Sequence, residues 1–170
     1  MLSCKREESS SQDTGGWGIT GSNIDAYNVG SDNITYKDKP VFYFRSIKNV
    51  DSGFGATVKG TVPTAIMGRK IRLTGYIKSE NIYGWGGMWM RVDGGQGNKP
   101  YGSTLSIDNM ENRPILGSTD WTKYEIVLEV PKESRMIYYG VLLNGTGSIL
   151  FSDLLIDTAG ADVKTTNLEK

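Results

Sequence analysis

From Trp17 onward, short runs of apolar or alternating residues are cut by glycine, proline, asparagine and aspartate at the spacing of a β-sandwich. Ile71, Leu73 and Ile77 share one face of an alternating run, while Arg72, Thr74, Tyr76 and then Lys78 share the other. Met88, Met90 and Val92 alternate in the same way against Trp89, Arg91 and Asp93, and Tyr124, Ile126, Leu128 and Val130 against Lys123, Glu125, Val127 and Glu129. Residues 41–47 form an aromatic, β-branched strand after Lys39-Pro40; residues 135–143 are apolar on both faces and read as a central strand. A last strand, 147–156, follows the turn Asn144-Gly145-Thr146-Gly147. With weaker runs at 18–20, 33–36, 56–62 and 104–107 the total is about ten strands, a jelly-roll number, and no long helical period competes. The predicted architecture is all-β, an antiparallel two-sheet jelly-roll sandwich.

Composition narrows the chemistry. The 170 residues suit one domain, and 22 glycines with 10% aromatics suit a turn-rich sandwich. Histidine is absent, which excludes the Ser-His-Asp and Cys-His systems and metal sites built on imidazole. A single cysteine, Cys4, excludes an intrachain disulfide and any CxxC motif. Nineteen basic and nineteen acidic residues give a formal net charge of zero, so charge makes no case for a nucleic-acid partner or an acidic membrane face.

Residues 1–14 are polar and serine-rich and read as a disordered tether, 15–160 as the sandwich, and 161–170 as a polar, fraying tail. Met1-Leu2-Ser3-Cys4 is similar to a lipobox, where a bacterial lipoprotein signal is cut and the cysteine acylated, although the basic start and the apolar stretch that should precede it are missing. Cys4 is thus either a lipidation site, the chain's one route to a membrane, or a free thiol.

The order of motifs adds a resemblance. Gly53-Phe54-Gly55 is followed by Gly68-Arg69-Lys70-Ile71-Arg72-Leu73-Thr74-Gly75-Tyr76-Ile77-Lys78 and by Gly87-Met88-Trp89-Met90-Arg91-Val92-Asp93-Gly94. Asp108-Asn109-Met110, Gly117-Ser118-Thr119-Asp120-Trp121 and Tyr139-Gly140-Val141-Leu142-Leu143-Asn144-Gly145 complete the series. This series, spanning residues 40–158, resembles a galactose-binding-like jelly-roll domain that recurs in bacteria beside C-terminal-processing-type peptidases, erythromycin-esterase-like proteins and some transcriptional regulators. More distantly it is similar to jelly-roll carbohydrate-binding modules. The resemblance implies that fold and a non-catalytic role, and it names no sugar.

The candidate ligand surface is the polar side of two alternating strands. Trp89, Arg91 and Asp93 are expected to join Arg72 and Tyr76 on one open face, the indole stacking on a sugar ring while the charged groups bond its hydroxyls. The bland alternative is a polar sheet face on which Trp89 covers an arginine. Trp85, among glycines, is either a second platform or a plug at the sandwich end, and the 94–98 loop would form the rim. Alanine at Trp89 is expected to abolish binding and leave the fold intact. Asp153, with carbonyls near Asp25, is a candidate structural calcium site, and no other cofactor is expected.

The first expectation is a non-catalytic module binding a glycan at the bacterial cell envelope, outside the cytoplasm and tethered through Cys4 if that residue is acylated; a cytoplasmic site stays open. A domain docking on an envelope protein is the alternative. A polysaccharide-degrading enzyme would need paired acids among Asp93, Asp108, Glu111 and Asp120, or Tyr76 acting with Arg91 or Lys78.

Overall fold

The computed structural model describes residues 12–96 and 98–167. Eight strands are hydrogen-bonded into one antiparallel sheet that curls over on itself: β1 (Gly18–Gly21), β2 (Tyr27–Tyr36), β3 (Lys39–Ser46), β4 (Phe54–Thr61), β5 (Arg69–Gln96), β6 (Lys99–Asp108), β7 (Ile115–Val130) and β8 (Ser134–Ala159). A 3₁₀ turn, Ile24–Ala26, precedes β2.

The sandwich arises because β5 and β8, 28 and 26 residues long, each serve both layers. In one layer residues 69–80 of β5 lie between β7 and residues 148–159 of β8, which continue into β3 and β2. In the other, residues 82–96 lie beside residues 134–146 of β8, which continue into β4 and β1. On their other edge they pair first with the start of β7 (Ile82 with Gly117, Gly86 with Ile115) and from Met90 onward with β6. The runs expected as separate strands, 71–77 with 88–92 and 135–143 with 147–156, are therefore pairs of legs of two bent strands. The bend falls where Gly84 and Gly145 face each other with φ of +109° and +98°. A Cβ on either would fall on the carbonyl of the partner strand, so only glycine lets the two strands cross layers without losing their pairing.

The core fills the space between the layers. Ile71, Leu73, Ile77, Ile126 and Phe151 from one layer meet Met88, Met90, Val92, Ile137 and Leu143 from the other, all fully buried. Each such side chain contributes roughly 1.5–3 kcal/mol. Met88 and Met90 are core-filling, as their alternation predicts.

The described part of the C-terminal tail, residues 161–167, is held, against the expectation that it frays. Lys70 Nζ donates to the carbonyls of Ala161 (2.9 Å) and Val163 (2.8 Å). Thr166 N donates to Val127 O at 2.9 Å, extending the β7 edge, and the Thr166 hydroxyl donates to Asp108, which is also bound by Arg113 at 2.7 Å. At the other end, Ser31 N donates to Asp13 O at 2.7 Å and Trp17 N to Thr14 O at 3.1 Å. Cys4 and the lipobox-like stretch lie outside the described residues.

Candidate functional site

Alternation places Trp85, Trp89, Arg91 and Asp93 on the outer side of the second leg of β5, opposite Met88, Met90 and Val92. That parity is observed, but the openness expected for Trp89 is not. Trp89 is 7% exposed, packed with Ala56 and Leu142 and flanked by half-buried Val58, Trp85 and Tyr138. Its indole Nε1 donates to Thr57 O at 2.9 Å. This bond has a local cause. The β4–β8 ladder is interrupted between the Ala56–Leu142 and Lys59–Tyr139 pairs, which leaves the backbone of Thr57 and Val141 to other partners. The Thr57 hydroxyl accepts from Val141 N at 2.9 Å, and Trp89 caps the Thr57 carbonyl.

Trp89 is thus the floor of a cleft of about 460 Å³ and not a raised platform. The cleft crosses all five strands of its layer. Ala56 and Leu142 complete the floor, Thr20 and Ser22 stand at the β1 side, and Ile107 and Asn109 at the β6 side. Phe54 (36% exposed) and Ile107 (42%) form its walls. The β1 side is fixed by Ser22, whose hydroxyl accepts from Phe54 N at 2.9 Å, while Ser22 N and Asn23 N both donate to Phe54 O. Arg91 closes one end. Its Nη2 donates to Asp93 Oδ2 at 2.9 Å, and its guanidinium lies 5.4 Å from the Tyr138 ring centre. Such a site offers an apolar floor for a flat, partly apolar ligand, with Thr20, Asn109 and Arg91 as polar groups at its margin.

Two of the expected partners are elsewhere. Arg72 and Tyr76 belong to the first leg of β5, whose inward residues Ile71, Leu73 and Ile77 pack against the same core from the opposite layer. Their side chains therefore leave the sandwich on the face opposite the cleft. Arg72 pairs with Glu125 at 2.9 Å. Tyr76 joins a cluster that sequence reasoning did not find: the tip of the β2–β3 hairpin lays Tyr36 flat on Trp121 (4.3 Å between ring centres, 15° between planes) and edge-on to Tyr76 (5.3 Å). Lys37 Nζ donates to the Tyr76 hydroxyl at 3.2 Å, a bond that raises the lysine pKa. Lys37 and Asp38, both left-handed at φ +50° and +62°, form the turn that folds the hairpin tip, and without a glycine or asparagine there the turn leaves little signal in the sequence.

Trp85 packs on the Trp89 cluster and stands beside the cleft. The 94–98 stretch does not rim it: β5 runs to Gln96, paired with Lys99, so the stretch is the β5–β6 hairpin, and Gly97 lies outside the described residues. Asp25 and Asp153 do not converge either. Asp25 sits in the 3₁₀ turn by the Ser46 end of β3, and Asp153 beside the Val41 end. The recess at Asp153 is lined by Lys39 and Lys59, the opposite of a cation site, and among the described residues no group of three acidic or thiol ligands forms. Of the candidate catalytic acids, Asp108 is committed to Arg113, Thr166 and Met110 N, and Asp93 to Arg91. Tyr76 and Arg91, on opposite faces, cannot act together. Phe54 is not among the expected site residues; its place in Gly53-Phe54-Gly55, a large aromatic between two glycines, is the sequence sign of a cleft wall.

No family model matches the chain. It is 33% identical over 156 residues to an uncharacterized HTH-type transcriptional regulator, YbfP, of Bacillus subtilis (strain 168), an alignment covering 91% of this chain and 51% of that protein. The chain thus spans about half the length of the curated relative it matches. Among solved structures, the enzymatically active domain of tailspike protein 4 of bacteriophage CBA120 superposes with a TM-score of 0.65 at 14% identity, over 87% of this chain and 20% of that one. The CBM22-1 xylan-binding domain of Paenibacillus barcinonensis Xyn10C superposes with a TM-score of 0.55 at 14% identity, over 88% of this chain and 90% of that module. The chain has the jelly-roll sandwich fold of such carbohydrate-binding modules.

Proposed function

We propose that this domain is a non-catalytic carbohydrate-binding module whose cleft above Trp89 holds a glycan. The observation that carries the reading is the cleft itself: an apolar floor crossing five strands, walled by two exposed hydrophobic side chains and edged by hydroxyl, amide and guanidinium groups. A sugar ring has the matching division, with C–H groups for the floor and hydroxyls for the margin. The commitment of Asp93 and Asp108 to internal partners argues for binding without catalysis.

The test is a glycan array probed with the full chain and with Phe54→Ala, which truncates an exposed wall and leaves the core alone. Array hits lost in the variant support the reading. A blank array from folded protein, or hits indifferent to Phe54, overturns it; pull-down from an envelope extract would then test docking on an envelope protein. Under the main reading the ligand is a polymer outside the cytoplasm, with Cys4 as a tether if it is acylated.

The transcriptional-regulator relative favours a second reading, in which the domain is the ligand-sensing half of a regulator and the cleft receives a small sugar as effector. Affinity separates the two. A polymer binder gains with each added sugar until the cleft is full, whereas an effector site is saturated by a mono- or disaccharide.

A further inference from the structure

We infer that the cleft prefers an acidic glycan, one bearing a uronic acid whose carboxylate is received by Arg91. The inference rests on the cleft being the glycan site, and it adds the chemical class.

Arg91 is the one charged side chain that lines the cleft among the described residues. Its carboxylate partner stands behind it: the Asp93 side chain is 5% exposed and the Arg91 side chain 38%. A ligand in the cleft therefore meets the positive end of this charge pair, with the negative end set back in the protein. Attraction at hydrogen-bond distance to the guanidinium exceeds repulsion from the more distant carboxylate, because both fall with separation.

The pair is also incompletely bonded. Asp93 takes Arg91 through Nη2 only, while Asp93 Oδ1 and Arg91 Nε are buried with no hydrogen-bond partner. No hydrogen bond from Nη1 is formed among the described residues, so one edge of the planar fork stays open, and that geometry suits a carboxylate better than a hydroxyl. The Asp93 bond and the Tyr138 ring restrain the guanidinium in advance, which lowers the ordering cost of binding.

The experiment follows the Trp89 indole N–H signal by NMR and measures heat by calorimetry. Its probes are tetragalacturonate, a glucuronic-acid-substituted xylotetraose and a hyaluronan tetrasaccharide, each against its own carboxyl methyl ester, with unsubstituted xylotetraose as a neutral control. At least one acid should bind about tenfold more tightly than its ester, corresponding to about 1.4 kcal/mol. That preference should shrink as salt is raised. The double substitution Arg91→Gln with Asp93→Asn removes both charges without stranding either, and should abolish the preference while the melting temperature stays near that of the parent. Acid and ester binding equally, or neutral glycans alone binding, would overturn the acidic preference and leave the cleft reading standing. If none of these probes binds and the neutral and acidic glycans of the array are blank as well, both fall together.

Discussion

Replacing Trp89 tests whether the cleft floor is also a structural joint. The indole is nearly enclosed in a cluster with Ala56 and Leu142, against which Val58, Trp85 and Tyr138 also pack, and it caps the carbonyl of Thr57, itself fully buried. Trp89→Phe keeps most of the ring but strands that carbonyl, a cost of about 1–3 kcal/mol. Trp89→Ala adds a cavity, and truncations of buried Trp or Phe to Ala cost about 3–5 kcal/mol. For a domain of this size each kcal/mol lowers the melting temperature by about 2–4 °C, so the alanine variant should melt at least about 6 °C below the parent. The assay is equilibrium urea unfolding, with the midpoint read at constant slope to give the free-energy change. A phenylalanine variant within about 0.5 kcal/mol of the parent would show that the indole N–H is not holding Thr57; an alanine variant losing under about 1.5 kcal/mol would refute the packing argument too. The consequence for binding is direct. Alanine at Trp89 was expected to leave the fold intact, and the burial of the residue overturns that, so glycan binding lost in the alanine variant could not be assigned to a lost contact.

Three other outcomes follow. Burial pushes the phenol of Tyr27 above its ordinary value, opposed in part by backbone hydrogen bonds to Gly145 and Gly55, and burial alone does the same at Tyr139. A raised folded-state value means that this stability is intact below the unfolded value of about 10 and is lost as pH rises through the folded one, so the urea midpoint should drop above pH 10, and drop less in Tyr27→Phe. Asp108→Asn weakens the hold on both Arg113 and Thr166, and hydrogen exchange should quicken at 161–167 and along the β7 edge first; uniform quickening across the sheet would show that the segment is not a separate unit. Chelation with EDTA should leave the melting temperature unchanged, because Asp25 and Asp153 stand at opposite ends of β3; a fall reversed by calcium would restore the metal site.

Local periodicity carried the strands, since alternation depends on neighbours two residues away. It placed 71–77, 88–92 and 124–130 and put Met88 and Met90 inside. It could not show that 71–77 and 88–92 belong to one strand, because Asn144 to Gly147 and the glycines at 84, 86 and 87 look like breaks when they are bends. That bend is also why Tyr76 and Trp89 were grouped: each is outward on its own leg, and only the change of layer between them makes outward mean opposite directions. Burial of Trp89 depends on Ala56 and Leu142, more than thirty residues away in either direction, and the anchoring of Thr166 on Asp108 spans 58 residues. Such pairings leave no local pattern.

The two outer faces each carry aromatic residues, yet they differ in what those rings are free to do. On the Tyr76 face, Tyr36 and Trp121 spend a ring face on each other, and Lys37 sits 4.4 Å from the centre of the Tyr76 ring while bonding its hydroxyl. That arrangement is complete within the protein, and its effect is to clamp the β2–β3 hairpin onto β5 and β7. On the cleft face, the exposed parts of Phe54 and Ile107 stand over open volume. Trp121→Ala should therefore cost about 0.5–1.5 kcal/mol for the lost stack, plus the area it buries. It should broaden the NMR signals of residues 34–39 and leave the affinity of any array-identified glycan within a factor of two. A loss of affinity comparable to that of Phe54→Ala would move the ligand to the Tyr76 face, and with it the argument that a ring already stacked in the free protein is not one kept for a partner.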